Sequence, residues 1–563
     1  MMLILIVGGY GVFGGRIVEL LEDEAQLELI VAGRSPERAK AYCDRRSGVA
    51  KLVPATFDRN GDLARQLDAL QPDILVDASG PFQGYGESRY RVIEACIAHR
   101  VHYLDLADGA DFVEGVGSLD TRARAAGVFV LSGVSTFPVL TAAATRRLAR
   151  GMARIYTIHA GIAPSPHAGV GENVIRAITG YAGRPTAMRR DGQPAIGYPF
   201  TDQMQFTIAP PGRVPVRRTL FSLVEVPDLR VLAPLWPEVK TIWTGAGPLP
   251  ALLHRALIAL AWLVRWRIVA SLLPFARPIH WVSNHVKWGE HRGGMFVEAE
   301  GADAVGRPIK RSWHLLAEHD DGPLIPSMAV EAIVRKSLAG QCPQPGARAA
   351  VRDLEIEDYD KLFARRAIFT GIRDDAVDGP TLYRRMLGAS WKAVPAAVRT
   401  LHDGVTRAEG RAKVERGGSW LSRLAGMLFT FPEAGTDVPL SVDFELSPQG
   451  ETWTRRFGGR SFSSRQFLGT GRWERLLCES FGPLTFAMAL VLEDGRMHLV
   501  LRGWSAFGLP MPMWLCARSA SYEEGDDRFR FHVEISHPLT GLIVRYQGWL
   551  APASRLASEP PSA

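Results

Sequence analysis

The chain has 563 residues, 47% hydrophobic and 22% charged, a profile that excludes a disordered or fibrous protein and, at this length, implies about three domains. The net charge of +7 is uneven, with 17 basic against 19 acidic side chains in residues 1–150 and 16 against 9 in residues 151–300. No Lys/Arg cluster with interleaved aromatics accompanies that excess, so nucleic acid is not expected as a partner. Five cysteines (Cys43, Cys96, Cys342, Cys478 and Cys516) lie far apart without a CxxC pair, which excludes a zinc ribbon or a disulfide framework. A reducing, cytoplasmic compartment follows as the expectation. The apolar start has no basic segment before it and ends in glycines, so it reads as a strand and not as a signal peptide.

In chain order, residues 3–7 form a short apolar run suited to a parallel strand buried on both faces. It enters Gly8-Gly9-Tyr10-Gly11-Val12-Phe13-Gly14-Gly15, in which Gly9, Gly11 and Gly14 give GxGxxG. Gly9 permits the tight turn, Gly11 lets a pyrophosphate approach the backbone, and Gly14 lets the following helix pack close. Tyr10, Val12 and Phe13 complete this candidate cofactor loop, with the helix N-terminal amides facing the phosphates. A second apolar strand, 27–32, ends at Gly33-Arg34-Ser35, where an NAD enzyme would place Asp or Glu on the ribose 2′-hydroxyl. Arg34 cannot accept that bond. It can pair with a 2′-phosphate, with Ser35 as a second donor and Arg38 adding charge, so NADP is the expected cofactor. Alternation then continues through helix 37–46, strand 51–54, Asp58 near the adenine, helix 62–70 and strand 73–77. Helix 88–99, strand 101–104, helix 112–126 and strand 128–131 follow, and such βα repeats predict a doubly wound parallel Rossmann sheet in an α/β fold.

The stretch Asp77-Ala78-Ser79-Gly80-Pro81-Phe82 with Gly84-Tyr85-Gly86 resembles the saccharopine dehydrogenase-like NADP-binding family. So do Ala95-Cys96-Ile97, Val101-His102-Tyr103-Leu104-Asp105-Leu106 and Gly133-Val134-Ser135-Thr136-Phe137-Pro138. The resemblance implies that Ser79, Gly80, Pro81 and Phe82 border the nicotinamide ribose, and that the strand end carrying Tyr103 and Asp105 opens toward the substrate. Tyr103 and Asp105 are therefore the candidate catalytic pair. Asp105 either moves a proton or caps the turn that follows it. Cys96 reads as core, and His314 and His319 lack an HExxH frame, so no metal site is expected.

Residues 151–373 read as an α/β substrate and dimerisation domain, which leaves a homodimer as one expected assembly. No aminoadipate- or glutamate-binding signature occurs there, so saccharopine dehydrogenase activity itself is the lesser of the readings, since many members of the family share the cofactor fold without that substrate. Residues 249–273 are the densest apolar stretch, interrupted by His254, Arg255, Arg265 and Arg267. Two readings stand: a helix at the surface of an anionic membrane, peripheral at its inner face, or a helix buried at a dimer or domain interface. After a charged linker at 373–380, residues 381–552 show seven strand-like segments, expected to form an antiparallel barrel or curved sheet with a helix from 382. Trp453, Trp504 and Trp549 are expected to face its interior. This part resembles an uncharacterised domain family fused behind this Rossmann type in bacterial proteins. Residues 553–563 read as a disordered tail. The expected activity is an NADP-dependent oxidoreductase acting on a small or lipid-like substrate. The alternative is a non-catalytic, membrane-proximal NADP-binding scaffold that holds a ligand.

Overall fold

Continuous apolar runs produce the first sheet, because strands buried on both faces need no polar alternation. In the computed structural model, which describes residues 1–248, 250–374, 379 and 381–553, the first six strands are parallel, and all but the exposed edge strand Lys51–Thr56 are largely buried. They are β1 (Met2–Val7), β2 (Leu27–Gly33), β3 (Lys51–Thr56), β4 (Ile74–Asp77), β5 (His102–Asp105) and β6 (Phe129–Ser132). A seventh strand from far along the chain, Gly346–Ala349, adds in parallel beside β6, giving the order Gly346–Ala349, β6, β5, β4, β1, β2, β3. The order reverses between β1 and β4, and ligands of such sheets bind in the crevice beyond the strand ends at that point. The expected helix 112–126 is broken into Ala110–Gly115, a tight turn Val116–Leu119, and Asp120–Ala126. Gly115 and Gly117 flank the break, and glycine is the costliest ordinary residue inside a helix.

A second seven-stranded sheet is mostly antiparallel, in the order Gln203–Phe206, Thr219–Leu223, Thr241–Ala246, Arg154–Ala163, Gly293–Ala302, Pro308–Ala317, Ile368–Asp374. The apolar stretch that follows Thr241–Ala246 is not one long helix. It forms Ala251–Arg265, the helix ends before Arg267, which has a φ of +62°, and a second helix, Ala276–His285, follows beyond the stretch. The first of these helices buries His254, Ile258, Ala261 and Val264 and leaves Leu252 and Leu260 exposed. Among the described residues no helix is long and apolar enough to cross a membrane.

The C-terminal part is a closed antiparallel barrel of ten strands. They are Arg407–Arg416, Gly435–Ser447, Gly450–Phe457, Arg460–Leu468, Leu477–Phe481, Leu484–Glu493, Arg496–Ala506, Arg518–Glu524, Phe529–His537 and Gly541–Pro552. Each pairs with the next in sequence, and Gly541–Pro552 pairs back on Arg407–Arg416. Three of the ten escape the expected seven because their inward residues are small or polar, or the strand is short. Arg407–Arg416 turns Ala408, Ala412 and Val414 inward, Arg518–Glu524 turns Ser519, Ser521 and Glu523 inward, and Leu477–Phe481 has five residues. The helix expected from 382 is present as Leu382–Leu387 and, with Ala396–His402, contributes Tyr383, Leu387, Val398 and Leu401 to the barrel core.

The chain divides into two compact units, one made of 1–206 and 219–370 and the other of 207–218 and 371 onward. In the second unit the Gly212 carbonyl accepts from the Leu492 N–H at 2.9 Å, and Thr207 donates to Glu474 at 2.7 Å. Arg373, expected at the start of the charged linker, is buried, with Nε on the Ala209 carbonyl (2.7 Å) and Nη1 on that of Met386 (2.9 Å). Residues 375–378 and 380 of that linker, residue 249 of the apolar stretch and residues 554–563 of the expected tail lie outside the described residues.

Candidate functional site: a dinucleotide crevice in the N-terminal unit

The glycine loop is shaped by contacts that no side chain could share. A Cβ on Gly14 would overlap the Gly8 carbonyl, and one on Gly9 would lie 2.9 Å from both the Ile6 carbonyl and Val31. Gly8 has a φ of +78°, and a Cβ there would press on the Ala78 carbonyl at 2.9 Å, so β1 and β4 feed loops in contact with each other. Helix α1 (Val12–Leu21) begins at Gly11, which supplies no side-chain cap, and its first bond runs from the Gly15 N–H to the Gly11 carbonyl. The amides of Val12, Phe13 and Gly14 therefore precede the helical ladder, and Val12 and Phe13 are at least partly exposed, the arrangement that binds a pyrophosphate. The loop fits a dinucleotide.

At the end of β2 the Tyr10 ring packs so closely on Gly33 that a Cβ there would overlap it, and the Tyr10 hydroxyl accepts the Ser35 N–H at 3.1 Å. Arg38 lies over the same ring, 4.9 Å from its centroid, and Arg34 is exposed. Neither arginine has an acidic partner among the described residues, so two guanidiniums without a carboxylate lie just past the end of β2. Ser35 is more committed than the sequence implies. Its hydroxyl donates to Glu37 at 2.8 Å and accepts the Arg38 N–H at 3.3 Å as the helix cap. Asp58, just past β3, is held by its N–H on Gln66 (2.7 Å) and caps its own loop through Asn60 (3.0 Å).

Beyond β4 and β5 lies a chain of polar groups. Asp77 is buried and accepts from Ser79 Oγ at 2.5 Å, Ser79 N at 2.9 Å and the Tyr103 hydroxyl. Ser79 Oγ is also 2.9 Å from the Tyr85 hydroxyl, whose ring is covered by Arg59. Gly80 and Pro81 join in a cis peptide, the Gly80 carbonyl accepts from Asn173 at 3.1 Å, and Phe82 packs between Tyr85 and Phe112.

The two residues expected to be catalytic both lie beneath the surface, Tyr103 at 1% exposure and Asp105 at 0%. Asp105 Oδ1 accepts from Gly133 N (2.8 Å), Ala107 N (2.9 Å) and Ser132 Oγ (3.0 Å), tying the ends of β5 and β6 together. Its Oδ2 has no partner, and burial raises the carboxyl to about 7. Asp108, three residues on, is only half-buried. Desolvation, and more weakly the nearby Glu225, hold its carboxyl above the ordinary value while Gln83 donates to it at 3.0 Å. Sequence reading left Tyr85, Asp77 and Glu225 without roles. Tyr85 had a signal, an aromatic flanked by glycines just past a strand, whereas Glu225 comes from the second sheet and only the fold brings it near.

Residues 4–131 match the family described as the saccharopine dehydrogenase NADP binding domain, and residues 395–550 match a domain of unknown function, DUF4166. No curated protein matches the chain. Among solved structures, apo saccharopine dehydrogenase (L-Glu forming) from Saccharomyces cerevisiae aligns with 66% of this chain and 100% of its own, at 13% identity and a TM-score of 0.47. Biliverdin reductase with biliverdin and NADP+ from Synechocystis sp. PCC 6803 aligns with 61% of this chain and 92% of its own, at 11% identity and a TM-score of 0.28. A putative myo-inositol dehydrogenase from Sinorhizobium meliloti 1021 covers 64% of this chain and 98% of its own, at 10% and 0.31. The chain carries a saccharopine dehydrogenase NADP-binding domain at its N-terminus, with NADP as its cofactor, and a DUF4166 domain at its C-terminus.

Proposed function

We propose that the protein is an NADP-dependent oxidoreductase whose substrate is a small, apolar or lipid-like molecule reached at a membrane surface. The observation that carries the redox reading is the half-buried Asp108, three residues past the end of β5, beside Gln83 in the loop that follows β4. When bound, the nicotinamide would give or take the hydride. Asp108 is the group positioned to move the accompanying proton, because a carboxyl with a raised pKa can hold a proton nearer neutral pH. Asp105 and Tyr103 act beneath it as positioning residues that fix the strand ends.

The membrane part of the reading rests on residues 251–289, which contain five Lys/Arg and four Trp but no Asp or Glu. Trp266, Ile268, Phe275, Trp281 and Trp288 are exposed there, alongside Arg255, Arg267, Arg277 and Lys287. Arg277 lies 3.8 Å from Glu172, whereas Arg255, Arg267 and Lys287 have no acidic partner among the described residues, and aromatics beside such cations suit an anionic lipid surface. Arg265 is not part of that charge, since it lies over Tyr198 and Trp262 and donates to Thr201 at 2.9 Å.

Incubation with NADPH deuterated at nicotinamide C4 and a neutral lipid extract tests the reading. Deuterium should appear in a lipid product, and Asp108→Asn should slow its appearance by about 100-fold or more while NADPH still binds. Tight NADPH binding with no transfer to any lipid would favour the scaffold reading, which the burial of Tyr103 and Asp105 supports.

A further inference from the structure

The barrel encloses a cavity of about 410 Å³, within the size range of small-molecule sites. Its two ends differ. The strand order places the start of Arg407–Arg416 and the helices before it at one end, so Tyr383 and His402 close that end from within. The opposite end gathers the turn 481–484, the connection 506–518, the turn 537–541 and the helix Trp420–Leu428. Trp420, Leu424, Met427, Phe507, Trp514 and Leu539 are all exposed at that end. The cavity wall nearest it is apolar, including Phe429, Phe431, Phe481, Phe486 and Trp504. An open apolar rim thus leads to a polar floor.

The floor decides the ligand. Glu479 Oε1 accepts from Ser464 (2.6 Å), Arg455 (3.1 Å) and Gln466 (3.3 Å), and the Tyr383 hydroxyl donates to Gln466 at 2.9 Å. Glu523 pairs with His402 at 2.6 Å, and Glu451 accepts from the Trp453 indole at 3.2 Å. Two buried carboxylates that line the cavity, Glu479 and Glu523, with Glu451 buried behind them, therefore face one lining guanidinium, which is held by Glu479 and by the Trp453 ring. No cation on this floor is left to neutralise an incoming carboxylate, whereas acceptor oxygens abound. Bringing an anion there would add like charge in a desolvated place, and that costs more than it does in water.

We infer that the barrel binds an uncharged, long-chain or ring-bearing apolar molecule that enters through the Trp420–Leu428 rim and donates a hydroxyl hydrogen bond to the carboxylate floor. Free fatty acids are selected against. Such an alcohol is what NADPH would form by reducing the matching aldehyde or ketone, the nicotinamide giving the hydride and a protein acid the proton. That link to the N-terminal unit rests on the oxidoreductase reading, but the binding itself does not.

The full-length protein without NADPH is titrated with the neutral fluorophore N-phenyl-1-naphthylamine at about pH 8, where a fatty acid is ionised. Displacement by dodecanol and by dodecanoate is then compared. Dodecanol should displace the probe at a concentration at least about tenfold lower than dodecanoate. Glu479→Gln removes one carboxylate and frees Arg455, so it should narrow or reverse that preference. Leu501→Trp fills the cavity and should abolish probe binding in protein whose far-ultraviolet circular dichroism is unchanged. Dodecanoate competing as well as dodecanol in the unmutated protein would overturn the inference. So would probe binding that survives a folded Leu501→Trp, or the absence of probe binding altogether. A failure of deuterium transfer from NADPH leaves these readouts untouched, so the two readings fail separately.

Discussion

On the proposed reading the cofactor choice falls to Arg34, with Arg38 beside it, because Ser35 spends its hydroxyl on Glu37 and on the helix cap. Arg34→Asp should weaken NADPH binding by about 10- to 100-fold, the worth of one charge-assisted contact, and leave NADH binding equal or tighter. Titration calorimetry with both cofactors reads this directly, and an unchanged NADPH affinity would remove Arg34 from the site. Asp105 makes a different prediction, about stability. Its carboxyl rises from an ordinary 3.8 to about 7 in the folded protein, because Oδ2 is buried without a partner. Between these values the unfolded chain releases the proton and the folded one keeps it, so the unfolded state binds fewer protons. Asp105 therefore lowers stability as pH climbs from about 4 to about 7, on the order of 4 kcal/mol in all, and adds no further slope above that. Asp105→Asn keeps the oxygen that accepts from Ala107, Ser132 and Gly133 and cannot ionise. Urea unfolding at about pH 5 and about pH 8 should show the variant losing much less stability across that interval than the unmutated protein.

At the scale of elements, the glycine loop works by exclusion, and Gly14→Ala tests that. The added methyl has the backbone of Gly8 and Gly9 to displace, so about 1–3 kcal/mol of destabilisation and loss of most NADPH affinity are expected. The helices Ala251–Arg265 and Ala276–His285 offer a second test. The protein should sediment with phosphatidylcholine vesicles containing about one-third phosphatidylserine, release in high salt, and fail to bind after Trp266→Ser with Ile268→Ser. A stable dimer that ignores vesicles and is broken by the same pair would assign this face to a second copy of the chain. The first sheet was legible because its strands are continuous apolar runs and its loop is glycine at three fixed spacings. The barrel was legible only where inward residues are large, and Trp549 shows the limit. Expected inside, it shares a face with Arg545 and Gln547 and lies against Arg528, while Tyr546 and Leu550 point to the core. Strand alternation is visible in sequence, but which of its two faces turns inward depends on neighbouring strands.

At the scale of the whole molecule, the least legible feature is that chain order and unit membership differ. Residues 207–218 interrupt the second sheet's run of strands and belong with the barrel, and nothing local in their composition marks this, since their partners lie some 160 or more residues further on. Two units with separate cores should unfold in separate calorimetric events, and each ligand should move only the event of the unit that binds it. NADPH at about 100 times its dissociation constant should stabilise one transition by about 2.7 kcal/mol and leave the other in place. Dodecanol should do the reverse, because its cavity is lined wholly by residues of the barrel unit. Gly14→Ala should cancel the NADPH shift alone, and Leu501→Trp the dodecanol shift alone. A single transition moved by both ligands would instead mean that the two units unfold as one, and the crossing segment 207–218 would then be the first place to cut.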